Sequence, residues 1–77
     1  MVNRQVEVQV GAQVTVRDAD GETAFWLVPP EESNPTHGRV STDSPLGRAV
    51  LGACPGDEVR FRAPGGVKIA TVVAVER

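Results

Sequence analysis

Asp43-Ser44-Pro45-Leu46-Gly47-Arg48-Ala49-Val50-Leu51-Gly52, followed by Pro55-Gly56-Asp57-Glu58-Val59, holds a short helix with both of its ends. Ser44 can accept a hydrogen bond from a free N–H of the first turn. Pro45 suits the first helical position, where its missing N–H would have had no partner. Leu46, Ala49 and Val50 then fall at i, i+3 and i+4 as one apolar stripe, Gly52 ends the helix and Pro55 keeps it from resuming. A helix of about two turns is unstable alone in water, so its stripe must lie against apolar surface supplied by the rest of the chain.

That surface reads as strands. Val14 and Val16 alternate with Gln13, Thr15 and Arg17; Val59 and Phe61 alternate with Glu58, Arg60 and Arg62; Ile69, Thr71, Val73 and Val75 alternate with smaller or polar partners. Asp18-Ala19-Asp20-Gly21 and Ala63-Pro64-Gly65-Gly66 carry hairpin-turn chemistry between such runs. The pattern predicts two antiparallel hairpins flanking a middle segment, with a short strand over Arg39 to Thr42 leading into the helix. Val6, Val8 and Val10 form one more alternating run, either a separate strand or the start of the next one bent at Gly11. Pro29 to Pro35 reads as a polar, solvent-exposed connection.

Length and charge narrow the function. A chain of 77 residues makes one domain with a small core, over residues 1–77 with a short lead at 1–5, and offers little room for a deep enclosed active site. Its net charge of −2 and scattered cations argue against direct nucleic-acid binding, which requires clustered cations to displace counterions from phosphates. No run is long enough to span a membrane, the start lacks a secretory pattern, and the lone Cys54 excludes an internal disulfide. A cytoplasmic location is the expectation.

The segments Gly38 to Gly52, Pro55 to Val59 and Ala63 to Gly66, preceded by Val10 to Val16 and Phe25 to Glu32, resemble the C-terminal domain of the bacterial Gre transcription elongation factors. The regulator of nucleoside diphosphate kinase shares that domain. The resemblance covers nearly the whole chain and implies an FKBP-like α+β fold, a twisted antiparallel sheet of about five strands packed on one short α-helix. Full-length Gre factors carry an N-terminal coiled coil with an acidic tip that helps hold a metal for transcript cleavage. Nothing before the first strand corresponds to it, so the expectation is a non-enzymatic domain that docks on bacterial RNA polymerase near its secondary channel without stimulating cleavage. By resemblance, Asp43, Ser44, Pro45 and Leu46 lie in the docking surface, with Arg48 as a neighbour.

Ser44 and Pro45 are also explained by helix initiation alone. Asp43 is less so, since a carboxylate before a helix gains only about 0.3–1 kcal/mol from the dipole. Leu46 and Val50 are expected in the core, and Leu51, off their stripe, is available to the sheet edge or to a partner. If Phe25 and Leu27 face inward, Trp26 faces outward with Ala24 and Val28, either as an interface anchor or beneath a neighbouring segment. His37 has no companion at ligand spacing and Cys54 no activating neighbour, so no metal, cofactor or nucleophile is assigned. An FKBP-like fold raises peptidyl-prolyl isomerisation as an alternative, beside a module for another protein partner. Phe25, Trp26 and Phe61 are the only aromatic side chains, and the first two face opposite ways, so the aromatic cage of that chemistry is not available. Exposed edges and an outward Trp26 fit a monomer or a weak homodimer.

Overall fold

The computed structural model describes residues 6–76; the short lead expected over residues 1–5 lies outside them. Five strands form one sheet: β1 (Gln13–Asp18), β2 (Gly21–Val28), β3 (Arg39–Ser41), β4 (Glu58–Ala63) and β5 (Gly66–Glu76), in the order β3-β2-β1-β5-β4. The one α-helix among the described residues, α1 (Pro45–Val50), lies between β3 and β4 in sequence and packs against both, chiefly β4. Both expected hairpins are present, β1 with β2 and β4 with β5. They join because β5 is long: it pairs with β4 over Gly66 to Thr71 and with β1 over Thr71 to Glu76. A register shift opposite Thr15 and Val16 skips Val73, an extra residue of the kind that bends a strand and raises its twist.

At one edge the expected antiparallel sheet becomes mixed. β3 runs parallel to β2, with Trp26 opposite Arg39, Leu27 opposite Val40 and Val28 opposite Ser41. A parallel neighbour requires the chain to return to the end it came from before the next strand begins. Two 3-10 turns, over Pro30–Glu32 and Pro35–His37, make that return within the Pro29 to Gly38 connection. Gly38 then turns the chain into β3 with φ of +74°, a left-handed conformation that suits glycine.

One face of the sheet builds the core. Val14, Val16, Phe25, Leu27, Val59, Ala70 and Val72 are buried together with Val50 of α1, while Val40, Leu46, Ala49, Phe61 and Val75 pack at its margin. Val8, Ala12 and Ala53 complete the cluster, and the backbones of Val8 and Ala53 explain why Val6 to Val10 is not a strand. Val8 donates to the Ala53 carbonyl and accepts from the Gly52 N–H, both at 2.8 Å, while the residues on either side find no ladder. This run therefore clamps the loop after α1 through a single residue. Val10, expected to alternate with it, is exposed. Val28 is a second correction: expected on the outer face with Trp26, it is buried although it stands outside the core cluster, at the point where β2 ends and the turn over Pro30–Glu32 lies beside β3.

Candidate functional site

The start of α1 is held by hydrogen bonds that converge on Ser41, the last residue of β3. The Ser41 carbonyl accepts from the Ser44 N–H at 3.0 Å and from the Ser44 hydroxyl at 2.7 Å, and the Ser41 hydroxyl oxygen accepts from the Asp43 N–H at 2.9 Å. Ser44 in turn caps the helix, its Oγ accepting from the Gly47 N–H at 3.0 Å, as the sequence predicts. The Thr42 N–H donates to the Val28 carbonyl at 2.9 Å, tying the same loop to β2. Each residue from Ser41 to Ser44 thus has its backbone engaged, and the helix leaves the sheet in a fixed direction.

Gly47 explains how closely this loop approaches the helix. It is buried, and a Cβ built on it would collide with the Ser41 carbonyl. That carbonyl cannot retreat without losing both bonds from Ser44. A glycine inside a helix costs roughly 1 kcal/mol relative to alanine, so its presence one turn from a cap was the available signal that something approaches there.

Against this rigid base the Asp43 side chain is exposed, and no ion pair or hydrogen bond engages its carboxylate among the described residues. Pro45 is exposed beside it and stands between two depressions. One, of about 300 Å³, is lined by apolar groups of Val40, Leu46, Phe61 and Pro64 together with Ser33 and Pro35. The other, of about 450 Å³, lies between α1 and the edge strand β4 and is bordered by Arg48, Ala49, Arg60, Phe61, Arg62 and Val67. Pro45, Phe61 and Arg62 line both. Leu46, expected in the core, is half-buried at the floor of the first.

Asp43, Ser44, Pro45, Leu46 and Arg48 therefore form one contiguous surface, and Trp26 stands apart from it. Phe25 and Leu27 are buried on the helix side, so Trp26, 44% exposed, occupies the opposite face of the sheet between Gln13 of β1 and Arg39 of β3. Phe61, Arg60 and Arg62 were not singled out as site residues. Their alternation along β4 was visible, but their position beside α1 was not.

Other groups weighed from sequence take no part in this surface. His37 is exposed, and among the described residues no group of three His, Cys, Asp or Glu side chains is arranged to hold a metal ion. Cys54 is half-buried in the turn between α1 and β4, where its N–H donates to Asp57 Oδ2 at 2.9 Å. Partial burial, and then the carboxylates of Asp57 and Glu7, push its thiol above the ordinary cysteine range, the reverse of activation. Among the described residues no helix is long and apolar enough to cross a membrane.

Comparison with known proteins agrees with this architecture. The family described as "Transcription elongation factor, GreA/GreB, C-term" matches residues 3–77. The chain is 44% identical over 71 residues to the transcription elongation factor GreA of Chloroflexus aurantiacus strain J-10-fl, covering 90% of this chain and 45% of that protein. Its GreA counterpart from Thermotoga neapolitana is also 44% identical over 71 residues, with 90% and 46% covered. Among solved structures, GreA factor homolog 1 of Thermus thermophilus superposes with a TM-score of 0.82 at 28% identity, over 95% of this chain and 50% of that one. A GreA/GreB elongation factor from Nitrosomonas europaea gives 0.74 at 30% identity, over 91% and 60%. The chain spans about half the length of the curated relatives it matches. It belongs to the GreA/GreB C-terminal domain family of transcription elongation factors.

Proposed function

We propose that these 77 residues dock on bacterial RNA polymerase, near its secondary channel, through the start of α1, and that they supply docking without transcript cleavage. Asp43, Ser44, Pro45 and Leu46 form the contact, with Arg48 beside them. The observation that carries the reading is the exposed, unpaired Asp43 carboxylate on a backbone already fixed by Ser41 and Ser44. Folding gives that carboxylate little to do. A partner cation would meet it without ordering the loop, which keeps the entropic cost of association low. The reading puts the protein in the cytoplasm, where polymerase is, and asks for no contact between this domain and nucleic acid. Trp26, on the opposite face, belongs to a separate contact if it has one.

The test is a cleavage reaction on stalled elongation complexes containing a full-length Gre factor, with this domain titrated in. The parent is expected to inhibit by occupying the shared dock and to stimulate no cleavage alone. Asp43→Ala should lose about 2 kcal/mol of affinity, roughly thirtyfold, if its partner is left unpaired, while folding changes by at most about 1 kcal/mol. No inhibition at saturation would remove the shared dock. Equal inhibition by both proteins would remove the role given to Asp43.

A further inference from the structure

We propose that the open face of the sheet, opposite α1, is a self-association surface on which a second copy of this chain packs face to face, with Trp26 against Gln13 and Arg39 against Glu76 of the second copy. The inference goes beyond the polymerase reading and leaves the start of α1 free.

The ladders lay this face out in three rows. Arg39, Trp26, Gln13 and Glu76 cross β3, β2, β1 and β5 in one row, Ala24, Thr15 and Ala74 form the next, and Glu22, Arg17 and Thr71 form the third. Residues opposite one another across a ladder share a face, and Phe25 and Leu27 are buried on the other one. The face is open. Trp26 is exposed, and so are Ala24 of the same strand and all four charged residues of these rows, Arg17, Glu22, Arg39 and Glu76.

Charge decides the occupant. The rows hold two arginines and two glutamates, so a strongly acidic or strongly basic partner would meet as much repulsion as attraction. A second copy meets every charge with its opposite. A half-turn about an axis running along the strands, midway between β1 and β2, lays β2 over β1 of the second copy and β3 over its β5. Arg39 then faces Glu76, Arg17 faces Glu22, Ala24 faces Thr15 and Trp26 faces Gln13, each twice. Arg17 and Glu22 already pair within one copy at 3.1 Å, whereas neither ion pair found among the described residues involves Arg39 or Glu76. Association gives those two a partner.

Shape agrees with the charges. Stacked sheets lie about 10 Å apart with their strands aligned to within about 30°. Ala24, Thr15 and Ala74 are short enough to let the middle row approach, and the indole of Trp26 fills the space beside them while its N–H can reach the Gln13 carboxamide oxygen of the second copy. The contact is nevertheless small. Four strands by five residues cover about 14 by 14 Å, well below the roughly 800 Å² per partner of a stable dimer. Self-association is therefore weak, and the chain is monomeric when dilute.

The full chain labelled in nitrogen-15, diluted from about 2 mM to about 20 μM, reads this directly. The parent should show saturable, concentration-dependent amide shifts confined to β1, β2, Arg39 and the Ala74 to Glu76 end of β5, and Trp26→Ala should abolish them. Arg39→Glu and Glu76→Arg should each weaken self-association about fivefold or more, because each sets like charges at both corners. An equimolar mixture of the two, with one labelled, should regain at least the parent's affinity, since opposite charges meet again. Arg60→Glu changes the net charge as much as Arg39→Glu does but lies on β4, outside the overlap, so it should alter self-association by less than about twofold. Circular dichroism checks that each variant is folded, and if Trp26→Ala is not, the charge variants at exposed positions carry the test. Spectra independent of concentration, shifts centred on α1 or β4, or equal effects of Arg60→Glu and Arg39→Glu would each overturn the proposal. So would a mixture that associates no better than either variant alone. The polymerase dock would survive all of these, since it uses the other side of the molecule.

Discussion

The two edges of the sheet are closed by different means. At the β3 edge the chain covers itself with backbone: Asn34, in the connection leading into β3, accepts from the Arg39 N–H and donates to the Arg39 carbonyl, both at 3.0 Å. At the β4 edge no further strand pairs among the described residues. A six-residue helix and a row of arginines lie there instead. Backbone pairing leaves little room for a ligand between the paired chains, since strands sit only about 4.8 Å apart. Side-chain packing at a helix leaves the depressions beside Pro45. The difference explains why the depression between α1 and β4 lies at the β4 edge, while the apolar one reaches from Val40 and Ser41 of β3 to the end of β4.

If the β4 edge depends on side chains, Phe61→Ala should be the most damaging change, because Phe61 floors both depressions and packs against the core. Its half-buried position puts the loss at about 2–3 kcal/mol, below that of a fully buried phenylalanine, and Leu46→Ala should cost somewhat less. Val40→Ala, the comparable change on β3, should cost about 1 kcal/mol. Urea denaturation measures all three. A loss at Val40 equal to that at Phe61 would break the contrast between the edges.

The glycines sharpen it further. Gly47→Ala drives a methyl group into the Ser41 carbonyl and should cost about 1–3 kcal/mol, with the helix displaced. Gly38→Ala meets no atom within 4 Å and should lose only about 1 kcal/mol, through its left-handed backbone. The first loss is steric and the second conformational, so Gly38→Asn should recover part of the loss at Gly38, while Gly47→Asn should be worse than Gly47→Ala. Recovery at Gly47 would mean that the helix does not sit on the Ser41 carbonyl as described.

The smallest effect concerns Cys54, in the turn that ends the β4 edge. Its thiol is held above the ordinary range, so alkylation at neutral pH should be slower than in the unfolded chain and should accelerate only as pH rises through the elevated value. Asp57→Asn removes the nearer charge while keeping an oxygen for the Cys54 N–H, and it should speed labelling without changing stability appreciably. Iodoacetamide labelling across pH measures it. A reaction as fast in the folded parent as in the unfolded chain would contradict the elevated thiol.

The helix and both hairpins were legible because their signals are local. A cap beside a proline, an apolar stripe at i, i+3 and i+4, and glycine-bearing turns between alternating runs each act over a few residues, and each element formed where those residues stand. The inward and outward assignments of Phe25, Trp26 and Leu27 followed from the same periodicity. Val6 to Val10 misled because alternation requires a partner strand along its length, and only Val8 found backbone to bond. Val28 misled because the rule of alternation says nothing about a loop returning over the end of a strand.

By itself the sequence determined which segment coils, where the two hairpin turns fall and which face of β1, β2 and β4 is apolar, since these depend on contacts between near neighbours in the chain; on β5 the alternation through Ile69 misled, for Ile69 is exposed while Ala70 and Val72 are buried. Only the tertiary structure decided that β3 joins β2 in parallel, that Gly47 must be small, and that α1 comes to rest beside Phe61 of β4. Each of those facts depends on where two distant segments come to rest against a shared core, a compromise among many weak contacts that no single stretch of residues encodes.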